Sequence, residues 1–252
     1  MSPYVAFEHP DGTFLVSTSD PGLGRPLFAN RDRAEFRVLE SALSFVEARG
    51  IVIDVGANIG TTAVSALVRH GYTRALCYEP EPENVAILRA NIALNGLTGS
   101  AEVIEAAVSD TPGRACFGRG PTTRAGRRTG VGSLGRSGGG GAIEVEVVTI
   151  DDELGRLGIA PQDVGLLWID AQGHEGHVLR GARRLLDGRR IPLVFALRPG
   201  KLSKAGGVEP LLEVTAGYEA FVDLRDPEQP KAPIAGLAGR VQRRPGTDIL
   251  LF

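Results

Sequence analysis

Residues 51–60 read Ile-Val-Ile-Asp-Val-Gly-Ala-Asn-Ile-Gly and carry the signals that decide the fold. The β-branched run at 51–53 is typical of a buried parallel strand. Gly56 and Gly60 allow a sharp turn and a close approach of the backbone to a ligand. A helical pattern begins at Thr61, so the first N–H groups of that helix face the same place. The segment therefore predicts a strand, a ligand-binding turn and a helix in succession.

An acidic residue follows the next predicted strand, about one βαβ unit later. Residues 75–79 read as a strand that ends at Glu79 and is followed by Pro80. A carboxylate at this place can accept hydrogen bonds from both hydroxyls of a ribose. The two segments together predict a site for a nucleoside cofactor.

Two residues in the first segment bear on which cofactor is bound. Asn58 stands where a dinucleotide-binding fingerprint has its second glycine, and Asp54 ends the strand where it would repel a pyrophosphate. An acid at this position suits a cationic ligand that carries an amino acid, as S-adenosylmethionine does. A nicotinamide-dependent oxidoreductase is the competing interpretation, and these two residues argue against it.

Composition and charge set the class of protein. The chain has 252 residues, with 42% hydrophobic and 23% charged residues and a net charge of −2. These values are ordinary for a soluble globular α/β domain and give no sign of a nucleic-acid or membrane-surface binder. No signal peptide or membrane span is recognised, and Cys77 and Cys116 lack zinc-site spacing, so we expect a cytoplasmic protein. The excess of arginine over lysine indicates a GC-rich bacterial source.

The chain divides into an N-terminal extension, residues 1–50, and a core domain, residues 51–252. The extension is predicted to hold a β-hairpin around Asp11-Gly12 and a helix from Asn30 to about Arg49, and to pack on the core. The core alternates strands with helices, which predicts a mostly parallel sheet covered on both faces. Its strands are predicted at 51–55, 75–79, 102–108, 143–148, 165–169 and 192–197, and its helices at 61–70, 82–95, 151–157 and 175–187.

Three later segments depart from this alternation. Residues 218–224 and 247–252 read as two strands without a helix between them, predicted to pair antiparallel at one edge of the sheet. Their connection, residues 225–246, is rich in Pro, Gly and Arg and is predicted to be mobile. Residues 118–142 are rich in glycine and arginine and predict a flexible loop, either a surface linker or a substrate lid. Its arginines could hold an anionic group of a substrate.

Four segments in this order and spacing resemble the FkbM-type S-adenosylmethionine-dependent methyltransferases over roughly residues 35–200. They are Val-Ile-Asp-Val-Gly-Ala-Asn-Ile-Gly at 52–60, Tyr-Glu-Pro-Glu-Pro-Glu-Asn at 78–84, Ala-Ala-Val-Ser-Asp at 106–110 and Trp-Ile-Asp-Ala-Gln-Gly-His-Glu-Gly at 168–176. The resemblance implies a class I methyltransferase fold, a Rossmann-like three-layer sandwich whose mostly parallel seven-stranded sheet has one antiparallel strand.

The resemblance also implies a set of cofactor-binding residues. Gly56, Asn58 and Gly60 are expected to line the methionine end, Glu79 to bind the ribose, and Ala107 and Val108 to flank the adenine. Asp170 is expected beside the methyl group. The complete predicted set is Asp54, Gly56, Ala57, Asn58, Gly60, Thr61, Glu79, Pro80, Asn84, Ala107, Val108 and Asp170.

His174 and Asp170 are the predicted catalytic residues. An unperturbed imidazole, with a pKa near ~6.5, accepts protons better at neutral pH than a carboxylate near ~3.9. His177 is predicted to be exposed and without a role, and Trp168 to belong to the core. No metal site is predicted, because Asp170 is the one good ligand at this edge.

Two positions depart from the family pattern. Gln172 stands where many members have glutamate, and a carboxylate is expected near Ala196. The predicted function is methyl transfer to a hydroxyl of a small metabolite, such as a sugar, a nucleoside or a polyketide-type natural product. A non-catalytic S-adenosylmethionine-binding or scaffold protein is the alternative that the missing acid suggests. No nucleic-acid or membrane partner is expected, and a homodimer is one candidate assembly.

Overall fold

The computed structural model describes residues 3–47, 50–120, 132–135, 141–188, 190–243 and 245–252. The first half of the chain contains β1 (Tyr4–His9), β2 (Gly12–Ser17), α1 (Gly24–Asn30), α2 (Ala34–Leu43), β3 (Ile51–Val55), α3 (Thr61–Val68), β4 (Arg74–Tyr78), α4 (Pro82–Leu94), β5 (Ala101–Ile104), β6 (Ala107–Val108) and β7 (Gly113–Gly118). The second half contains β8 (Ser133–Leu134), β9 (Ala142–Val148), α5 (Ile150–Leu157), β10 (Val164–Ile169), α6 (Glu175–Arg180), α7 (Arg183–Leu186), β11 (Leu193–Leu197), α8 (Pro199–Lys204), α9 (Val208–Thr215), β12 (Ala220–Asp223), β13 (Lys231–Pro233), α10 (Leu237–Val241) and β14 (Thr247–Leu251).

The main sheet has eight strands in the order β13-β12-β14-β11-β10-β3-β4-β5. Strands β5, β4, β3, β10 and β11 are parallel neighbours, whereas β14 is antiparallel to both β11 and β12. The predicted antiparallel pair is therefore present, and β14 lies inside the sheet. The added edge strand β13 is antiparallel to β12, so the sheet has one strand more than the predicted seven.

Alternate residues of the central strands enter two cores. Ile53, Leu167 and Phe195 pack on one face with α5 and α6, while Val52 and Val194 pack on the other with α2, α3 and α4. Because β3, β10 and β11 are buried on both faces, their sequences are almost continuously apolar, as the sequence predicted. Trp168 is a core residue, as predicted, and Cys77 is buried as well.

The N-terminal hairpin is confirmed, and it packs on helices α3 and α4. Asn91 on α4 and Asn95, which directly follows that helix, exchange hydrogen bonds with the backbone of Leu15 and Thr13 on β2 at 2.6–3.2 Å. Their amides take the place of a third strand beside β2. The domain boundary at residue 50 stays a prediction.

The single helix predicted from Asn30 to about Arg49 is wrong. Asn30 is the last residue of α1, and Arg31 adopts a left-handed conformation with φ 53°, which ends that helix. A second helix, α2, begins at Ala34 and ends at Leu43. Residues 48–49 lie outside the described residues.

The strand predicted at 102–108 is also wrong, because the chain leaves the main sheet after Ile104. Ala107 and Val108 pair instead with β9 in a second sheet of order β6-β9-β7-β8. Strand β7 was not predicted. Of the predicted loop at 118–142, residues 121–131 and 136–140 lie outside the described residues, so linker and lid both stay predictions.

Three further predictions in the second half are corrected. The helix predicted at 175–187 is divided into α6 and α7 at Gly181, where an added Cβ would lie 2.0 Å from the carbonyl oxygen of Ser109. Helices α8 and α9 were not predicted. The connection at 225–246 holds β13 and α10, and its predicted mobility stays a prediction. Within the described residues, none of the helices combines the length and apolar composition needed to span a bilayer.

Candidate functional site

A cavity of about 420 Å³ opens where the carboxyl ends of β3, β4 and β10 meet. Ligands of open α/β sheets bind at this edge. The turn after β3, the acid after β4 and the loop after β10 all contribute walls, which are completed by the N-terminal segment and the small sheet. The lining residues that the following paragraphs use are Leu23, Pro26, Leu27, Arg33, Glu35, Gly56, Asn58, Glu79, Pro80, Ala107, Val108, Phe117, Leu134, Asp170, Gln172, His174 and Arg198.

Gly56 brings the first and last motifs of the sequence together. Its φ is +81°, and an added Cβ would lie 2.3 Å from the carbonyl oxygen of Asp170. The N–H groups of Gly56 and Ala57 both donate to the carbonyl of Tyr78, at 2.9 and 3.0 Å. The glycine is therefore required for contact between two backbone segments, whereas the sequence suggested contact with a ligand.

Glu79 is fixed by three N–H donors. Its Oε2 accepts from the backbone of Asn58 at 2.9 Å, and its Oε1 accepts from the backbone of Glu81 at 2.9 Å and from the side chain of Asn84 at 3.2 Å. Burial raises the pKa of Glu79 to about 7, while these donors favour its ionised form. The carboxylate is thus oriented in the cavity wall before any ligand binds.

The predicted cofactor residues fall into two groups. Those that line the cavity are Gly56, Asn58, Glu79, Pro80, Ala107, Val108 and Asp170. Those that support it from behind are Asp54, Ala57, Gly60, Thr61 and Asn84, all of them buried or nearly so. Gly60 precedes α3 with φ +86°, and an added Cβ would lie 2.4 Å from Leu88 of α4, so this glycine serves helix packing.

Asp54 is a buried carboxyl with a donor on only one side. Its exposed fraction is 1%, and within the described residues its Oδ2 has no hydrogen-bond partner. Burial raises the pKa of Asp54 to about 7, against a backbone hydrogen bond from Ala63 and the charge of Arg33. An unpaired buried carboxylate oxygen is costly, so a cationic or hydrogen-bond-donating ligand would be stabilised here.

Asp170 begins the loop that follows β10. Its N–H donates to the carbonyl of Val55 at 2.9 Å, and its Oδ1 accepts from the Gln172 amide at 2.7 Å. Burial raises the pKa of Asp170, and the nearby Arg198 and Arg33 oppose that rise. Gln172 adopts a left-handed conformation and in turn accepts from Lys201. Gln172 thus orients the carboxyl through an amide where a glutamate would repel it.

His174 precedes α6 and faces a short polar network. Its Nε2 lies 2.8 Å from the hydroxyl of Ser109, and that hydroxyl lies 3.2 Å from Oδ1 of Asp110. Although partial burial acts to raise it, hydrogen bonds and charge from His177 lower the pKa of Asp110. An ionised carboxylate can only accept, so Ser109 donates to Asp110 and leaves its oxygen to accept from His174. Neutral His174 then carries its proton on Nε2 and its lone pair on Nδ1.

His177 contradicts the prediction that it is exposed. It is half-buried and stacks on His174, with the ring centroids 4.5 Å apart. Its Nδ1 lies 3.2 Å from Asp110 and its Nε2 lies 3.0 Å from the carbonyl of Ala205, so both ring nitrogens face an acceptor. Burial first, and then His177, lower the pKa of His174 to about 4. His174 therefore loses the advantage over a carboxylate that the sequence argument assigned to it.

The N-terminal extension supplies a wall that the sequence did not predict. Arg33 forks onto Glu35, with Nε 2.7 Å from Oε2 and Nη2 3.0 Å from Oε1. Although burial acts to raise it, this ion pair lowers the pKa of Glu35. Leu23, Pro26 and Leu27 add an apolar surface. In the sequence, the charged run at 31–33 was the one local sign of this wall, and such a run is equally typical of a solvated loop.

Arg119 forms an ion pair beside Glu79 at the edge of the site. Its Nε donates to Oε2 of Glu81 at 2.8 Å, and a second nitrogen reaches Glu81 and, at 3.3 Å, Glu83. This fork joins the end of β7 to the start of α4, beside Glu79. Because Arg119 is committed to Glu81, it does not support the suggestion that it holds an anionic substrate group.

The described residues contain no group of three or more His, Cys, Asp or Glu side chains that could hold a metal ion. Metal-independent transfer stays a prediction.

Comparison with known proteins places the chain among methyltransferases. The family model described as the Methyltransferase FkbM domain matches residues 54–225. The 31-O-demethyl-FK506 methyltransferase FkbM of Streptomyces tacrolimicus is 33% identical over 171 residues, which cover 58% of this chain and 64% of that protein. The 2-O-methyltransferase NoeI of Sinorhizobium fredii is 26% identical over 152 residues, covering 56% and 60% respectively. The chain thus matches less than two thirds of the length of either relative.

The fold is also similar to that of a solved methyltransferase structure. The crystal structure of a methyltransferase FkbM from Methylobacillus flagellatus KT superposes with a TM-score of 0.54 at 14% identity, covering 90% of this chain and 50% of that one. Together with the strand order of the main sheet, this confirms the predicted class I methyltransferase fold.

Proposed function

Because the chain belongs to the FkbM methyltransferase family, we propose that it is an S-adenosylmethionine-dependent O-methyltransferase that modifies a hydroxyl of a small metabolite. One observation carries the proposal: a single cavity is lined both by the Gly56, Asn58 and Glu79 group and by the Asp170 and His174 group. A donor bound against the first group would meet an acceptor held by the second.

The residues present fit the methyl donor. Glu79 is held in the cavity wall where a ribose diol would donate to it. Ala107 and Val108 supply a small apolar surface for a purine ring. The buried, unpaired Oδ2 of Asp54 suits a cationic amino acid. These side chains are acidic or apolar, which matches a ligand that has a sulfonium and an ammonium and no phosphate.

When bound, S-adenosylmethionine supplies an electrophilic methyl group whose transfer breaks the C–S bond as the C–O bond forms. The contribution of this chain is to align the acceptor oxygen and to accept its proton. Alignment contributes up to ~7–11 kcal/mol in ideal cases, and a positioned base contributes roughly 10²–10⁴-fold.

Asp170 and His174 are assigned different roles toward the acceptor hydroxyl. Burial raises the pKa of Asp170, whereas it lowers the pKa of His174 to about 4. The usual advantage of an imidazole over a carboxylate as a proton acceptor is therefore lost here, and we assign the hydroxyl proton to Asp170. His174, neutral and with its lone pair on Nδ1, orients the hydroxyl by accepting a hydrogen bond.

We assign a partly apolar skeleton to the substrate that receives the methyl group. Leu23, Pro26 and Leu27 of the N-terminal segment, with Phe117 and Leu134 of the small sheet, line the cavity. Apolar walls with a few convergent polar groups are typical of small-molecule sites. Two of the relatives are named as a 2-O-methyltransferase and as a methyltransferase of a 31-O-demethyl compound, which supports a hydroxyl as the group modified.

A panel of hydroxylated sugars, nucleosides and polyketide-type compounds, incubated with S-adenosylmethionine and followed by mass spectrometry, tests the proposal. We expect a product heavier by one methylene and an equal amount of S-adenosylhomocysteine, with at least ~10²-fold less in Asp170→Asn. Donor binding without turnover, unchanged in Asp170→Asn and His174→Ala, would instead favour a non-catalytic cofactor-binding protein.

A further inference from the structure

One nitrogen of Arg33 makes no hydrogen bond within the part of the chain that the structure describes. The fork onto Glu35 uses Nε and Nη2, whereas Nη1 is buried and, within the described residues, has no hydrogen-bond partner. A buried guanidinium N–H without an acceptor is unfavourable, because it has lost the hydrogen bond that water would otherwise accept from it. Arg33 also lines the cavity, so a bound ligand can provide the missing oxygen.

A second buried atom of opposite charge belongs to the same site. The Oδ2 of Asp54 has no hydrogen-bond partner among the described residues, and no ion pair joins Asp54 to Arg33 there. The guanidinium is nevertheless near enough to oppose the burial-driven rise in the pKa of both Asp54 and Asp170. The cavity wall therefore holds an unsatisfied cationic donor, with an unsatisfied carboxylate oxygen buried behind it.

An α-amino acid matches this pair, because its carboxylate and its ammonium are attached to one carbon. We propose that Nη1 of Arg33 binds the α-carboxylate of the methyl donor, with the charge of Asp54 behind the wall favouring its α-ammonium, an inference that rests on the proposed function. The N-terminal segment then belongs to the cofactor site as well as to the acceptor wall. Glu35 holds the guanidinium plane in place, so that the arginine loses little freedom on binding.

Two nucleosides separate this role from a structural one. S-adenosylhomocysteine carries the amino acid, whereas 5′-methylthioadenosine has the same adenosine and thioether without it. Isothermal titration calorimetry would measure both dissociation constants for the wild type and for Arg33→Gln. Arg37→Gln is the matched control, since Arg37 is an exposed arginine on α2, the helix that Arg33 precedes.

We expect Arg33→Gln to weaken S-adenosylhomocysteine binding about 10- to 100-fold, as for a lost charge-assisted hydrogen bond. Binding of 5′-methylthioadenosine should stay within twofold of wild type, which also shows that the variant is folded. Equal losses for both nucleosides, or no loss for either, would overturn the inference. If the wild type binds neither nucleoside, the proposed function fails instead.

Discussion

Ala196 on β11 lies directly opposite Asp248 on the antiparallel strand β14. The sequence lacks the carboxylate expected near position 196, and the fold brings one to the same strand end from the far end of the chain. Asp248 is 6% exposed and pairs with Arg225 and, at 3.7 Å, with Arg198, which lines the cavity. The missing acid is therefore a weaker argument for a non-catalytic protein than the sequence alone indicated.

Replacing Asp248 tests whether this carboxylate stabilises the site edge. Asp248→Asn leaves Arg198 and Arg225 without their counter-charge, and we expect the free energy of unfolding to fall by about 1–3 kcal/mol. Urea denaturation measures the change. Glu219→Gln removes one partner of an exposed ion pair with Arg190 and should have no measurable effect. Equal stability of Asp248→Asn and wild type would contradict the assignment.

Substitution of Gly56 tests the contact between the first motif and Asp170. Gly56→Ala combines a positive φ with a Cβ placed only 2.3 Å from the Asp170 carbonyl oxygen, whereas Gly96→Ala has φ +70° and nothing within 4 Å. We expect Gly96→Ala to cost roughly 1 kcal/mol from backbone strain alone, and Gly56→Ala at least ~2 kcal/mol more. Thermal and urea unfolding compare the two. Similar losses would mean that the close approach has no energetic consequence.

Donor binding should depend on pH through Asp54 and Glu79. Burial raises the pKa of both carboxyls to about 7, so each becomes ionised as the pH rises through that value. The ionised forms attract an ammonium and accept ribose hydroxyls. We expect the affinity for S-adenosylhomocysteine to increase about tenfold from pH 6 to pH 8, with a smaller increase in Asp54→Asn. A pH-independent affinity in the wild type would contradict these raised pKa values.

The protonation state of His174 can be observed without a substrate. Burial and the stacked His177 lower the pKa of His174 to about 4, and Ser109 and Asp110 fix its proton on Nε2. In ¹⁵N NMR spectra, with signals assigned from His174→Gln, we expect a neutral Nε2–H ring throughout pH 5–8. A titration midpoint near ~6.5, as for a free imidazole, would show that the network does not control this residue.

Local sequence predicted the central strands and the turn between them, but it could not predict the residues that complete the cavity wall. The segments around Asp54 and Glu79 are contiguous and periodic, so their strands, their turn and their place at one sheet edge followed from short-range rules. Arg33, by contrast, precedes an ordinary helix, and only tertiary packing brings it to the cavity. Asp248 faces Ala196 because of a strand register set by residues about fifty positions apart along the chain.

The same limit applies to the chemistry of His174. Its position after Asp170 was readable from the motif, but its pKa depends on burial and on a ring stacked from one turn of helix away, and its tautomer depends on Ser109, which follows β6 of the second sheet. The break after Ile104, which sends Ala107 and Val108 into that second sheet, lies within a continuous β-like run. Composition gave no sign of it.

Calorimetric titration with S-adenosylhomocysteine is the most direct test that this cavity is a methyl-donor site. The wild type should bind one equivalent in the micromolar range, and Glu79→Ala should abolish binding because it removes the oriented acceptor for the ribose diol. Glu83→Ala is the control, because it removes an exposed acid close to Glu79 in the sequence, and it should bind as the wild type does. No binding to the wild type at millimolar ligand, or equal binding by Glu79→Ala, would contradict the account.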